Sequence, residues 1–137
     1  MKIILATSSP YRIKAFQKLG LDFIAERSDV DEYGIERPEE PEELVKYLAK
    51  LKAEAVAKNY SQGIVIGFDS VGYFNGKILE KPKDKEEVIN RLKTLSNNSY
   101  FFYTGIYMLN LEENKILVGS IKTEVLMRNI FKNEINI

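Results

Sequence analysis

Apolar positions along the chain fall into two kinds of run. Ile3, Ile4, Leu5 and Ala6 form an unbroken apolar stretch, and "GIVIGFDS" repeats that pattern from Gly63 to Ser70. Continuous rather than alternating runs of this length predict short strands buried on both faces. Between them, Glu42 to Lys58 carries Leu44, Leu48, Leu51 and Ala55 at helical spacing with alanines interleaved, which predicts the strongest helix of the chain, with Lys52 on the border of its apolar stripe. A first helix is expected after the first strand: Ser8 or Ser9 as N-cap, Pro10 in the first turn, Ile13, Phe16 and Gln17 to Leu19 as the apolar spacing, and Gly20 as the stop.

Further on, "VGYFNGKIL" alternates around Asn75-Gly76, a two-residue hairpin signal. In "KPKDKEEVINRLKTL" a helix reopens, with Asp84 as N-cap, Glu87 completing a capping box, and Val88, Leu92 and Leu95 facing inward. "YFFYTGIYMLNL" and "KILVGSIKTEVLM" read as two long antiparallel strands joined at Glu112-Glu113-Asn114, their aromatic residues serving as sheet core and sheet surface. The acidic, proline-marked stretch "SDVDEYGIERPEEP" reads as a loop with one short extended piece. This order of elements predicts an α/β fold, a mixed central β-sheet flanked by helices. In such sheets ligands sit beyond the carboxyl ends of the parallel strands, where Thr7-Ser8-Ser9 and Asp69-Ser70 are expected.

Length and composition narrow the chemistry. A chain of 137 residues suits one domain with a real core, so residues 1–137 are expected to form a single unit. With 20 basic and 20 acidic side chains there is no net field to steer the molecule to nucleic acid or to an anionic membrane, and neither is expected as a partner. Neither cysteine nor histidine occurs, which removes disulfides, thiol nucleophiles, histidine bases and the usual zinc ligand sets. No apolar run is long enough to span a bilayer and none builds a signal-peptide core, so a cytoplasmic location is expected.

What remains is carboxylates, lysines, arginines and hydroxyls. A helix opening after a buried strand offers free N–H groups and the positive end of its dipole, and Ser8, Ser9 and Arg12 add donors there, a fit for a phosphate. The same residues also read as a plain helix cap with a solvated arginine, the commoner arrangement. Asp69 either organises a turn or ligates a metal, and the acidic knot of Asp29, Asp31 and Glu32 either binds a divalent cation or is simply solvated. Lys81, before Pro82, either reaches a polyphosphate or stays exposed. Lys52 must find an anion if its helix face is buried.

Taken together, "LATSSPYR", "DVDE", "LAKLKAEAVA", "VIGFDSV", "NGKILEKPKDKEEV", "LKTLSNNSYFFYTGIYML" and "KTEV" resemble the Maf family of nucleotide pyrophosphatases, relatives in fold of the inosine triphosphate pyrophosphatases. The resemblance implies a two-lobed fold with a cleft. It also implies hydrolysis of a nucleoside triphosphate between its α and β phosphates to a nucleoside monophosphate and pyrophosphate, with a divalent metal, Mg2+ or Mn2+. By motif, Ser8, Ser9 and Arg12 correspond to phosphate-binding groups, joined by the Ser70 hydroxyl. Glu32 and Asp69 correspond to the acidic pair serving metal and water, and Lys52 and Lys81 to cations that hold the triphosphate. An aspartate beside a cation is expected to titrate below the ordinary value near ~4, which favours Asp69 as an orienter of water over a proton acceptor.

Three departures from the family pattern matter. Tyr11 stands where the family usually carries a first arginine, and Phe68-Asp69-Ser70 replaces the usual Ala-Asp-Thr. At "NIFKNEINI" the chain stops where the family continues into a further helix and a glycine- and glutamine-containing segment that completes the nucleotide pocket. The expected consequences are a shortened enzyme or, alternatively, a catalytically degenerate nucleotide-binding or regulatory protein. Exposed apolar surface that favours a homodimer is expected as well. An acidic-loop interaction module with no nucleotide role leaves Ser9, Arg12, Lys52, Asp69 and Lys81 unexplained.

Overall fold

The computed structural model describes residues 2–34 and 36–129. Of the stub expected at "NIFKNEINI", all but Asn129 lies outside the described residues. Among those described, six strands and three helices follow one another as β1 (Ile3–Ala6), α1 (Pro10–Lys18), β2 (Ile24–Ala25), α2 (Pro41–Ala57), β3 (Ile64–Phe74), β4 (Lys77–Leu79), α3 (Lys85–Leu95), β5 (Ser99–Asn110) and β6 (Lys115–Leu126). The strands form one mixed sheet in the order β2-β1-β3-β5-β6, with β4 also on β3. β1 is parallel to both β2 and β3, whereas β4, β5 and β6 pair antiparallel with their neighbours. The mixed sheet flanked by helices is therefore the one expected from the pattern.

Strand β3 is the spine of this sheet. On one edge it pairs with β5 from Ile64 to Tyr73 without a break. On its other edge it pairs with β1 over Ile64–Gly67 and with β4 over Gly72–Phe74. Between those two partners, Phe68, Asp69, Ser70 and Val71 face an opening in the sheet. Asp69 and Ser70 thus lie in the middle of a long strand, not at its carboxyl end as the apolar run suggested. What ends beside them is β1, so the expected position at the strand terminus is kept by the neighbour rather than by β3 itself.

Helix α2 lies across β3 and β5 and closes the principal core. Ile4, Ala6, Val65 and Tyr107 from the sheet pack against Ala49, Ala53 and Val56. The approach is close because two strand positions lack side chains. A Cβ on Gly67 would stand 2.1 Å from the Ala49 carbonyl oxygen, and one on Gly105 2.5 Å from the Val45 carbonyl. The buried stripe of α2 is Pro41, Leu44, Val45, Leu48, Ala49, Ala53 and Val56, rotated from the expected one, since Leu51 and Ala55 are only half-buried. Lys52 consequently sits deeper on the sheet side than its sequence position implied, with its side chain 17% exposed.

The opposite face is more thinly covered. Leu5, Ile66 and Phe68 form its core, and α1 reaches them through Phe16, whose ring meets Phe68 and Phe23 edge-on at centroid distances of 5.7 and 5.9 Å. No residue of α1 is fully buried, and Leu19, expected inward, is 66% exposed. Similarly, α3 buries Leu95 alone while Val88, also expected inward, is exposed. Asp84 caps α3 by accepting from the Glu87 N–H, and Glu87 reaches back to the N–H of Lys83, one residue before the cap. The Asn75-Gly76 hairpin forms with both residues at positive φ. Short β2 went unforeseen, and no strand forms among the described residues of 28–41, where an extended piece was expected. Along β6, Ile116, Leu117, Ile121 and Leu126 are exposed. No described helix is long and apolar enough to cross a membrane.

The glycine seats generate a direct test. Gly67→Ala is expected to destabilise the fold by about 3 kcal/mol, because backbone rather than a flexible side chain stands in the way. Gly119→Ala, whose new methyl would meet Ile106 at 3.5 Å, should change stability little. Urea unfolding of both variants checks this, and equal midpoints would refute the account of how α2 is seated.

Candidate active site

The opening in the sheet is the floor of a cavity of about 750 Å3. Ser8, Ser9, Arg12, Glu32, Lys52, Asp69, Ser70 and Lys81 all line it, as does Asp29 of the acidic knot, whereas Asp31 does not. Five segments deliver them, with α2 supplying Lys52 and β3 supplying Asp69 and Ser70. The exit of β1 and the start of α1 supply Ser8, Ser9 and Arg12, the acidic loop supplies Glu32, and the chain leaving β4 supplies Lys81. Strand alternation divides the floor: Asp69 points to the α2 face, where Lys52 is, and Ser70 to the α1 face, where Arg12 is.

Lys52 is the centre of the acidic half. Its Nζ lies 2.9 Å from Asp69 Oδ1 and 2.9 Å from Glu32 Oε1. Burial alone would lower the Lys52 pKa, but the two carboxylates together outweigh it and raise the value above normal. Asp69 is shifted by a different balance. Burial pushes its carboxyl up, Lys52 pulls it back, Glu32 pushes it up again, and the net direction is upward. The expectation that a neighbouring cation would hold Asp69 below the ordinary carboxylate range is thereby corrected: desolvation wins over attraction. Its other oxygen, Oδ2, is buried and has no hydrogen-bond partner. A buried acceptor left open in this way is costly unless a ligand, ion or proton meets it.

The basic half is organised differently. Arg12 Nη2 donates to Ser70 Oγ at 2.8 Å, and Ser70 Oγ is 3.0 Å from Thr104 Oγ1. Ser70 therefore holds Arg12 in place as well as lining the cavity. The guanidinium stacks over Phe68 at 5.5 Å, and burial lowers its pKa from the usual value, with Asp69 opposing. Ser9 occupies the N-cap of α1 without making a side-chain cap bond, so its hydroxyl is not consumed by the helix. Tyr11, in the first turn of α1, is exposed at the cavity rim.

Of the acidic knot, Glu32 alone engages a cation on the floor. Asp31 instead accepts from the Tyr33 N–H at 3.0 Å and shapes the turn. Arg27, Tyr33, Arg37 and Glu80 also line the cavity and were not singled out in the sequence. Only the proximity of Arg37 to "DVDE" and of Glu80 to Lys81 could have pointed to them.

The chain matches the Maf-like protein family over residues 2–137. It belongs to that family. Among Maf-like relatives, it is 40% identical over 137 residues to a dTTP/UTP pyrophosphatase of Clostridium novyi, covering 99% of this chain and 72% of the relative. It is 39% identical over 133 residues to a 7-methyl-GTP pyrophosphatase of Pseudomonas aeruginosa, covering 97% of this chain and 69% of the relative. Among solved structures, the Staphylococcus aureus Ham1 protein superimposes with a TM-score of 0.57 at 25% identity, over 91% of this chain and 72% of that one.

The raised Asp69 carboxyl has a measurable consequence. A carboxyl whose folded-state pKa exceeds its unfolded value adds stability that is fully present below the unfolded pKa and is lost as pH rises through the folded one. Asp69→Asn, neutral throughout, is expected to gain stability over the parent across that window and hold the gain at neutral pH. Unfolding midpoints of both proteins over a pH series test this. A difference that stays flat or runs the other way would show that Lys52 outweighs burial.

Proposed function

We propose that this Maf-like chain is a nucleoside triphosphate pyrophosphatase, cleaving the α–β phosphoanhydride to a nucleoside monophosphate and pyrophosphate. The observation that carries the reading is the Glu32–Lys52–Asp69 cluster, seated on the buried Asp69, beside a rim of Ser8, Ser9, Arg12 and Lys81 in one cavity. Relatives named for dTTP/UTP and for 7-methyl-GTP support the reaction and leave pyrimidine and modified purine triphosphates as the substrate classes.

In this reading the start of α1 receives phosphate oxygens. The N–H groups of Tyr11 and Arg12 have no intrahelical partners in the first turn, and the Ser8 and Ser9 hydroxyls stand beside them. Arg12, oriented by Ser70, and Lys81, across the opening, offset the charge that builds on the departing pyrophosphate. Asp69 Oδ2 is free to accept a hydrogen bond from the attacking water and orient it. Its raised pKa makes Asp69 a better proton acceptor than an ordinary aspartate, so orientation and proton acceptance both fall to it.

Among the described residues no group of three or more acidic side chains is placed to hold a metal ion. Glu32 and Asp69, with one open oxygen on Asp69, nevertheless fit a hard cation such as Mg2+ or Mn2+, which typically takes one or two carboxylates together with substrate phosphates. When bound it would supply charge neutralisation and a more acidic water.

A panel of nucleoside triphosphates incubated with the protein and Mg2+ or Mn2+, scored separately for pyrophosphate and orthophosphate, tests this. Pyrophosphate with monophosphate is expected, falling about a hundredfold or more in Asp69→Asn and in Lys81→Ala. Full rates in both variants would remove the assigned roles. Nucleotide binding without pyrophosphate release would replace the enzyme with a nucleotide-binding protein.

A further inference from the structure

Across the mouth of the cavity, Arg37 is the one described arginine tied to both of the loops that carry Glu32 and Lys81. Its Nη1 donates to the Glu32 backbone carbonyl at 3.0 Å, and its Nη2 pairs with the Glu80 carboxylate. The guanidinium also lies over the Tyr33 ring at 5.1 Å. Each partner is the candidate residue or its immediate neighbour in sequence: Glu32 itself, Tyr33 after it, and Glu80 before Lys81. Arg37 is 15% exposed against 48% for Glu80, so the arginine is the more deeply set member of the pair. It also forms part of the wall between the main cavity and a second one of about 490 Å3 beside Pro38, Tyr73 and Lys77.

We propose that Arg37 is a positioning residue of this site, and that its ion pair with Glu80 clasps the Glu32 loop to the Lys81 loop and so sets both side chains over the cavity floor. The inference rests on the pyrophosphatase reading for its catalytic consequence. Two features make the clasp more than a surface ion pair, which alone contributes little. The acidic loop has no strand or helix of its own among the described residues, so cross-links such as this one and the Glu32–Lys52 pair fix its place. Moreover, the fork of a guanidinium is suited to binding a carbonyl and a carboxylate at once, whereas an ammonium lacks that planar geometry.

The pair also sequesters a charge. Glu80 lines the same cavity as Lys81, so a carboxylate released from Arg37 would repel an incoming triphosphate. A split between kinetic constants follows. Arg37→Ala is expected to lower kcat roughly tenfold to a hundredfold, the scale of a mispositioned group, and to raise KM through the freed Glu80. Glu80→Gln should lower kcat without raising KM. The double variant should recover the KM of the parent while keeping the kcat of a single variant, and Arg37→Lys should restore little.

Pyrophosphate release by the four variants, read beside amide exchange at residues 29–34 and 80–83, tests the proposal. Faster exchange in both loops in Arg37→Ala and in Glu80→Gln, with no further increase in the double variant, is the expected result. Loss of kcat in Arg37→Ala with full kcat and unchanged exchange in Glu80→Gln would overturn it, making Arg37 a direct ligand of the substrate instead. Should the parent release no pyrophosphate, the functional reading fails, and exchange decides the clasp alone: coupled deprotection of the two loops keeps it, independent behaviour ends it.

Discussion

The site depends on how closely α2 is allowed to approach the sheet. Two glycines, one on β3 and one on β5, let the helix backbone rest against the strands where any side chain would hold it away. That approach carries Lys52 onto the sheet, within contact of a carboxylate two residues beyond the first glycine. A wider separation would take the Lys52 ammonium away from Asp69 and leave the upward push of burial less opposed. Packing and electrostatics are therefore not separate layers of explanation here: the volume missing at Gly67 is what brings the Lys52 ammonium within reach of Asp69.

Within the cavity, the two halves are stabilised by unlike means. The acidic half is a small cluster of opposite charges in which one ammonium serves two carboxylates, and one carboxylate oxygen is still unanswered. On the basic half, hydroxyl groups of Ser70 and Thr104 brace the Arg12 guanidinium, and Phe68 backs it. The added bulk of Phe68 beside Asp69 thus serves packing on the opposite face, because neighbouring strand residues point apart. Tyr11 leaves Arg12 as the one guanidinium in the first turn of α1.

Much of this was legible in the chain before its structure. Continuous apolar runs at Ile3–Ala6 and Ile64–Phe68, the Asn75-Gly76 turn and the alternating carboxyl-terminal strands report directly on burial and backbone geometry, so the sheet could be read. All eight candidate site residues line one cavity, and the signals that pointed to them are local: the strand-to-helix junction for Ser8, Ser9 and Arg12, the acidic motif for Glu32, the border of an apolar helix stripe for Lys52, the apolar run for Asp69 and Ser70, and the loop before a helix for Lys81. Less legible were properties set by distant partners. The stripe of α2 is rotated because the sheet presents glycines under Ala49 and Val45, which no periodicity in the helix records. Likewise, the direction of the Asp69 shift depends on how deeply β3 is covered, and the Arg37–Glu80 pair joins residues from separate segments with no pattern between them.

The opening between β1 and β4 has one more consequence. A ligand seated there would not lie on a face of the sheet but pass through its plane, touching Asp69 on one side and the Ser70–Arg12 pair on the other. The two hydrophobic layers, joined in the free chain through β1, β3 and β5, would acquire a second bond through the ligand itself. Occupancy would then act as a rivet: the thinly held α1 layer would no longer fray independently of the α2 core, and the molecule would melt as one body instead of peeling from its weaker side.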